Sequence, residues 1–213
     1  MLPVHTNGPS SNGLPPLPLM AFAVGVSVAN PFYAQSLLPA VERAFHLQAG
    51  TVLQGPMLIQ LGMALGYVLL LPLGDACERR RLLALLALGM AVACTAVVLA
   101  PSFAWLLAAW FALGVVALIP ALLPPFLTAL TPEASQGRML GIVLSGQFTG
   151  LLLSRSVSGV VAQLWGWRAI YGLAAVAMLA VALLFRRALP LSRPTHPQRY
   201  RQLQASQLAL WCE

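Results

Sequence analysis

Residues 82–132 read LLALLALGMAVACTAVVLAPSFAWLLAAWFALGVVALIPALLPPFLTALTP, a run of 51 residues without Asp, Glu, Lys or Arg. A bilayer core of roughly 30 Å needs about 20 apolar residues in an α-helix that rises 1.5 Å per residue. The run is therefore long enough for two membrane-spanning helices. Pro101-Ser102 marks the turn between them, because proline interrupts a helix.

The rest of the chain repeats this pattern. Further charge-free stretches cover residues 1–41, 44–74, 139–154 and 169–185. Charged residues make up 8% of the chain, against about 25% in typical soluble domains. Soluble helices would show polar residues at helical period on an outer face, whereas here the apolar residues go all the way round. We predict an all-α, polytopic membrane protein.

Six spans can be placed, at 17–41, 51–73, 82–100, 104–130, 138–164 and 168–185. We expect the first to break near Asn30-Pro31 and the fourth to be interrupted by its prolines, Pro120, Pro124 and Pro125, because proline removes a backbone hydrogen bond. Residues 1–16 are predicted to form a disordered cytoplasmic tail, and residues 17–186 the six-helix transmembrane domain. Residues 187–213 are expected to form a basic cytoplasmic linker and the opening, at 203–211, of a seventh helix that the chain does not complete.

The arginines predict the orientation of these spans. If the N-terminus lies inside, nine of the 12 basic residues fall in inner connections or in the segment after the sixth span, while Arg43 and Arg168 fall outside. Cytoplasmic loops carry an excess of Lys and Arg. We therefore predict a multi-pass protein of the bacterial inner membrane with both termini cytoplasmic. The same rule explains the net charge of +7, so we expect no nucleic-acid partner.

The connection between the second and third spans carries a more specific motif. It comprises Gly62-Met-Ala-Leu-Gly66 and then Pro72-Leu-Gly-Asp-Ala-Cys-Glu-Arg-Arg-Arg81. This stretch resembles the signature cytoplasmic loop of the major facilitator superfamily. By that resemblance, Asp75, Arg79 and Arg80 occupy the family's Asp and two terminal basic positions.

Three positions depart from the family pattern, namely Leu71, Ala76 and Glu78. Gly74, directly before the aspartate, is expected to supply the turn instead, because glycine tolerates unusual backbone angles. The resemblance implies that Gly74, Asp75, Arg79 and Arg80 form a conformational-switch loop. In the family, the Asp of this loop meets a helix N-terminus that belongs to the other half of the transporter. The simpler interpretation, that the arginines only anchor the topology, stays open.

Other stretches support the same family. Residues 28–39 resemble the first helix of bacterial efflux-type members, and residues 137–168 resemble their fifth helix and the following outer loop. The resemblance covers residues 18–190 and implies the N-terminal six-helix half of a major facilitator fold. The fifth-helix Gly-Pro motif of antiporters is missing, and Trp110 stands where the family has a fourth-helix Arg. These two departures argue against drug–proton exchange.

Two sets of glycines predict close helix packing. Gly55, Gly62 and Gly66 fall within about 40° of one another at about 100° per residue, which gives a smooth stripe on one helix. Gly146 and Gly150 form a second pair of small residues spaced four apart. Such stripes let membrane helices approach closely.

Polar residues inside spans are the candidates for a substrate cavity, because each is costly in hydrocarbon unless it faces a cavity or a partner. The candidates are Ser27, Asn30 and Tyr33 on the first span and Gln147, Ser154 and Arg155 on the fifth. Ser158 lies on the same side of the fifth span as Gln147 and Ser154. Arg155 has two interpretations. It either reaches to the outer interface or provides a cation in the cavity. No span contains a carboxylate, so a proton relay would need a group elsewhere.

These observations predict transport of a small molecule by alternating access, with efflux as the expected direction. A single half supplies one wall of such a cavity. We therefore expect either a truncated transporter that lacks its C-terminal half or a half that works as a homodimer or with a second polypeptide. A non-transporting membrane subunit or assembly partner is the alternative. No span offers a nucleophile–base pair, and the sequence has no phosphate-binding loop or metal-ligand spacing, so we expect no enzyme, cofactor or metal site.

Overall fold

The computed structural model describes residues 17–48, 50–72, 74 and 78–190. The helices are α1 (Leu17–Ala44), α2 (Gln54–Leu70), α3 (Arg79–Val98), α4 (Phe103–Val116), α5 (Ile119–Leu130), α6 (Glu133–Trp165) and α7 (Trp167–Ala188), with a 3₁₀ turn at Thr51–Leu53. Six stretches are long and apolar enough to cross a membrane, α4 and α5 together forming the fourth. The predicted all-α class and number of spans are confirmed. The predicted tail, Asp75 and the segment from residue 191 onward lie outside the described residues.

The first span differs from its prediction. Helix α1 is continuous through Pro31 and Pro39, so the expected break at Asn30-Pro31 is wrong. Each proline removes one backbone hydrogen bond. However, Pro31 is buried among neighbouring helices, and tertiary packing can hold a helix through a proline in a membrane protein.

The fourth span is interrupted as predicted, but at a different place. The break falls at Ala117-Leu118, between α4 and α5. Pro120 follows within the first two positions of α5. A backbone N–H at these positions has no hydrogen-bond partner within the helix, so proline costs no hydrogen bond there. Pro124 and Pro125 lie inside α5. The interruption therefore falls two residues before Pro120, and Pro124 and Pro125 do not break the helix that follows.

Glycines bring the helices together in pairs. α2 packs mainly on α4, and α1 packs mainly on α6. A methyl group added at Gly62 would collide with the carbonyl oxygen of Phe111 on α4, and one added at Gly25 would lie 2.6 Å from the carbonyl oxygen of Gly146 on α6. These contacts confirm both predicted glycine surfaces. The third main pair is α3 with α7.

The core draws residues from all the helices, and aromatic side chains link α1, α4 and α7 within it. Trp110 is fully buried, and its indole N–H donates a hydrogen bond to the Tyr171 hydroxyl at 3.0 Å. The Tyr171 ring in turn meets the Tyr33 ring edge-on, with 6.1 Å between centroids. Trp110 is thus a packing residue with a satisfied N–H.

Candidate substrate cavity and switch loop

A cavity of about 450 Å³ lies between α1 and α6. Small residues, among them Gly25 and Gly146, give it room, and Phe22 and Val157 contribute apolar surface. Tyr33 and Ser154 line this cavity, so the structure brings together two of the six predicted cavity residues, one from each helix. Two residues outside that prediction, Ser145 and Thr149, add hydroxyl groups to the same lining.

Ser27 and Asn30 lie deeper and do not line this cavity. Both are fully buried. The Ser27 hydroxyl donates to the carbonyl of Ala23 one turn earlier, at 2.7 Å. The side-chain nitrogen and oxygen of Asn30 are buried and have no hydrogen-bond partner among the described residues, and the same holds for the side-chain oxygen of Gln147. An unpaired buried polar group costs about 1–3 kcal/mol, so among the described residues the Asn30 amide and the Gln147 side-chain oxygen are buried groups that would gain from a further partner.

Arg155 is exposed on α6 and donates a hydrogen bond to the side-chain oxygen of Gln35 on α1, at 2.9 Å. The bond crosses from α6 to α1, so the guanidinium is held beside the α1–α6 surface. A guanidinium has five N–H groups, which leaves donors for a further anionic or carbonyl ligand. Sequence reasoning missed Gln35, although its position as a polar residue within the first span was a usable signal.

A second polar contact joins the same helices. The hydroxyl groups of Ser36 and Ser158 are 2.5 Å apart, and Ser158 also contacts the carbonyl oxygen of Ser154 at 2.5 Å. Ser36 was not predicted, because nothing in its spacing indicates a partner 122 residues away. Together the two contacts place a polar seam along α1 and α6, next to the cavity.

The loop between α2 and α3 is described only in part. Asp75 lies outside the described residues, so its predicted role in the switch stays a prediction. The Arg79 side chain donates to the Gly74 carbonyl at 3.1 Å, and the Arg80 guanidinium contacts the backbone carbonyl of Arg186 on α7. Arg79 and Arg80 therefore fasten both the loop and the end of α7 to the start of α3.

Gly74 lies close to α5. Its backbone is not in the left-handed region, which among the described glycines is occupied by Gly50 and Gly166. A methyl group at Gly74 would lie 2.7 Å from a terminal carbon of Leu122 on α5. The expectation that Gly74 supplies a turn through unusual backbone angles is wrong, and the approach of the Leu122 side chain from α5 leaves little room for a side chain here.

Six membrane-length stretches in the described part of the chain, with glycines packing α1 against α6 and α2 against α4 and a polar seam on one side, define a six-span unit of a polytopic membrane protein. The family model of the Major Facilitator Superfamily matches residues 19–209. The chain belongs to this superfamily.

Individual relatives agree with this assignment. The chain is 34% identical over 193 residues to the uncharacterized transporter YgaY of Escherichia coli O157:H7, which covers 91% of the chain and 49% of the relative. It is 32% identical over 177 residues to the probable transporter SCO4007 of Streptomyces coelicolor, covering 83% of the chain and 41% of the relative. It is 26% identical over 180 residues to the uncharacterized MFS-type transporter YybF of Bacillus subtilis, covering 84% of the chain and 45% of the relative. The chain spans about half the length of the relatives it matches.

Proposed function

We propose that this chain forms one wall of a transporter that moves a small molecule out of the cell by alternating access, with α1 and α6 facing the substrate pathway. The observation that supports this most strongly concerns α6. It has the lowest mean hydropathy of the six spans, and only 11% of its most apolar 18-residue stretch is buried, against 67% for α1. A helix that is both exposed and comparatively polar is poorly suited to contact lipid.

The exposed residues of α6 make the contrast clear. Between residues 141 and 163 five of them are polar, namely Ser145, Thr149, Arg155, Ser156 and Gln163, and these lie beside apolar ones such as Phe148 and Leu152. Between residues 169 and 185 of α7, by comparison, every exposed residue is Leu, Val or Ala. The α7 surface suits lipid, whereas the α6 surface suits an aqueous cavity or another protein unit.

A second six-helix unit completes the proposal. In transporters of this kind, two repeats rock about a site at their interface. The second unit would be another copy of this chain or a separate polypeptide, and it would cover α2 and α6, the two least buried spans. The Asn30 amide and the Gln147 side-chain oxygen, which have no hydrogen-bond partner among the described residues, are candidates for contacts that form with substrate, water or the second unit. In this proposal both termini lie in the cytoplasm and the membrane is the bacterial inner membrane.

The test is a transport assay. The chain is expressed, alone and as a tandem fusion of two copies, in bacteria that lack their main efflux permeases, and accumulation of a panel of labelled small molecules is measured. We expect at least one compound to accumulate less with the tandem fusion than with an empty vector. Arg155→Gln should lower that efflux about tenfold, because a hydrogen bond to a charged group contributes about 1.5–3 kcal/mol.

Arg138→Gln is the matched control. It removes the same charge from the same helix at an exposed position outside the cavity, and efflux should stay within twofold of the unmodified chain. If neither form transports any compound and the chain instead purifies with an unrelated membrane protein, the subunit alternative replaces the transporter proposal.

Water access to α6 gives an independent prediction. In a background with Cys77, Cys94 and Cys212 replaced by serine, Thr149→Cys is compared with Val176→Cys on α7. Both positions are exposed. A membrane-impermeant thiol reagent should modify Thr149→Cys at least about tenfold faster, because only a hydrated thiol forms the reactive thiolate. Equal rates in native membranes would mean that α6 faces lipid.

A further inference from the structure

A groove of about 600 Å³ runs between α3 and α7, and none of its lining residues belongs to the polar seam. Its volume lies within the roughly 300–1,000 Å³ that is typical of small-molecule sites. Ala84 and Ala182 form its floor, and leucines stand on both sides, including Leu85 on α3 and Leu183 on α7. Both of these leucines are more than half exposed, at 58% and 54%, so the groove opens toward the surroundings of the bundle.

The charges of this groove lie at one end. Arg80 and Arg81 come from the first turn of α3, and Arg186 comes from the last turn of α7. Glu78 is the acidic residue of the lining, so the groove carries a net positive charge. Arg80 contacts the Arg186 backbone carbonyl and holds the two helix ends together, and Arg81 and Arg186 line the same groove from the two helices.

The spacing of charge and apolar surface fits an amphipathic ligand. Leu88, also in the lining, lies seven residues beyond Arg81, which is about 10 Å along an α-helix. A molecule bound here would place an anionic group at the membrane boundary and an apolar chain alongside α3 and α7, within the hydrocarbon. A free phosphate ion would make no contact with the leucines, and a lipid without a net charge would not balance the charge of the arginines.

We propose that the α3–α7 groove binds an anionic phospholipid. Its phosphate is held by Arg81 and Arg186, and an acyl chain lies over Ala84 and Ala182 between the leucines. Basic pockets between membrane helices on the cytoplasmic side are suited to anionic head groups. Because Arg81 and Arg186 belong to different helices, the bound lipid joins α3 to α7 and stabilises the contact between them. This inference does not depend on the transport proposal.

The experiment measures lipid binding by the whole chain in neutral detergent. Dioleoyl phosphatidylglycerol is titrated, retained lipid is counted by native mass spectrometry, and the thermal midpoint is followed by circular dichroism. We expect phosphatidylglycerol to bind and to raise the midpoint. Dioleoyl phosphatidylcholine and inorganic phosphate should do neither. Arg81→Gln and Arg186→Gln should each weaken binding about fivefold, as expected for about 1 kcal/mol per basic residue near an anionic lipid.

Arg138→Gln is again the matched control, since it removes an exposed arginine that is predicted to lie at the same membrane boundary but outside the groove. It should leave phosphatidylglycerol affinity within twofold. Lipid affinity is measured for each single variant separately, so the outcome does not depend on whether a variant with both arginines replaced would fold. Equal losses in Arg138→Gln and Arg81→Gln would overturn the proposal, because they would indicate attraction by overall charge. Equal binding of phosphatidylcholine, or an equal stabilisation by phosphate, would also overturn it.

Discussion

Gly150→Ala is expected to destabilise the chain by about 1–3 kcal/mol, the usual cost of inserting a methyl group into a packed interface. A methyl group at Gly150 would collide with the backbone of Gly25 on α1. Backbone atoms cannot rotate away as a flexible side chain can, so α1 and α6 would have to separate. The free energy of unfolding, measured by titration with sodium dodecyl sulfate in mixed micelles, gives the effect.

Gly159→Ala is the matched control on the same helix. A methyl group at Gly159 has no atom within 4 Å, and alanine in a helix is favoured over glycine by about 0.5–1 kcal/mol. The two substitutions should therefore change the free energy of unfolding in opposite directions. A similar loss of stability in both variants would show that the cost arises from the helix itself and not from the contact with α1.

Trp110→Ala is expected to have the largest effect on stability, about 3–5 kcal/mol, as is typical of emptying a buried tryptophan site. Trp110 is fully buried and in contact with Gly55, and its indole N–H satisfies the Tyr171 hydroxyl. The substitution removes the side chain and leaves a buried hydroxyl without its donor. The same unfolding titration measures the effect, and loss of folded protein from the membrane fraction would be the extreme form.

Trp105→Ala on the same helix serves as the comparison. Trp105 is 52% exposed, although its N–H donates to the Ala96 carbonyl, so we expect a loss of only about 1 kcal/mol, the net value of an ordinary hydrogen bond. Trp110→Phe and Tyr171→Phe, combined in a double-mutant cycle, isolate the hydrogen bond itself. Its coupling should be about 0.6–1.7 kcal/mol, the range measured between membrane helices. Equal losses for Trp105→Ala and Trp110→Ala would contradict the packing role of Trp110.

The packing contacts of Trp110 could not be predicted from the sequence. By resemblance, tryptophan is expected to stand at the position of a family arginine, and together with the missing Gly-Pro motif this argues against drug–proton exchange. The structure adds that the side chain fills the space beside Gly55 and bonds to Tyr171. The packing partner Gly55 was identified in the sequence as part of a glycine stripe, but its contact with Trp110 depends on how α2 and α4 cross.

The candidate site was predictable in kind and only partly in detail. Polar residues within spans were found because they interrupt apolar runs, and Tyr33 and Ser154 do line one cavity. Sequence reasoning could not pair Arg155 with Gln35 or Ser158 with Ser36, because these pairs lie 120 and 122 residues apart. It also could not show that the amides of Asn30 and Gln147 are buried without a partner in the described part of the chain.

The sequence by itself determined the class of the protein, the number of spans and the predicted orientation. This follows from desolvation, since a backbone in hydrocarbon must satisfy its own hydrogen bonds and long uncharged runs therefore become helices. Only the tertiary structure decided that α1 runs straight through Pro31, that α6 remains exposed and that α3 and α7 enclose a groove with a basic end. Lipid tails and protein interiors are similarly apolar, so a hydropathy pattern cannot tell which face of a helix meets which neighbour.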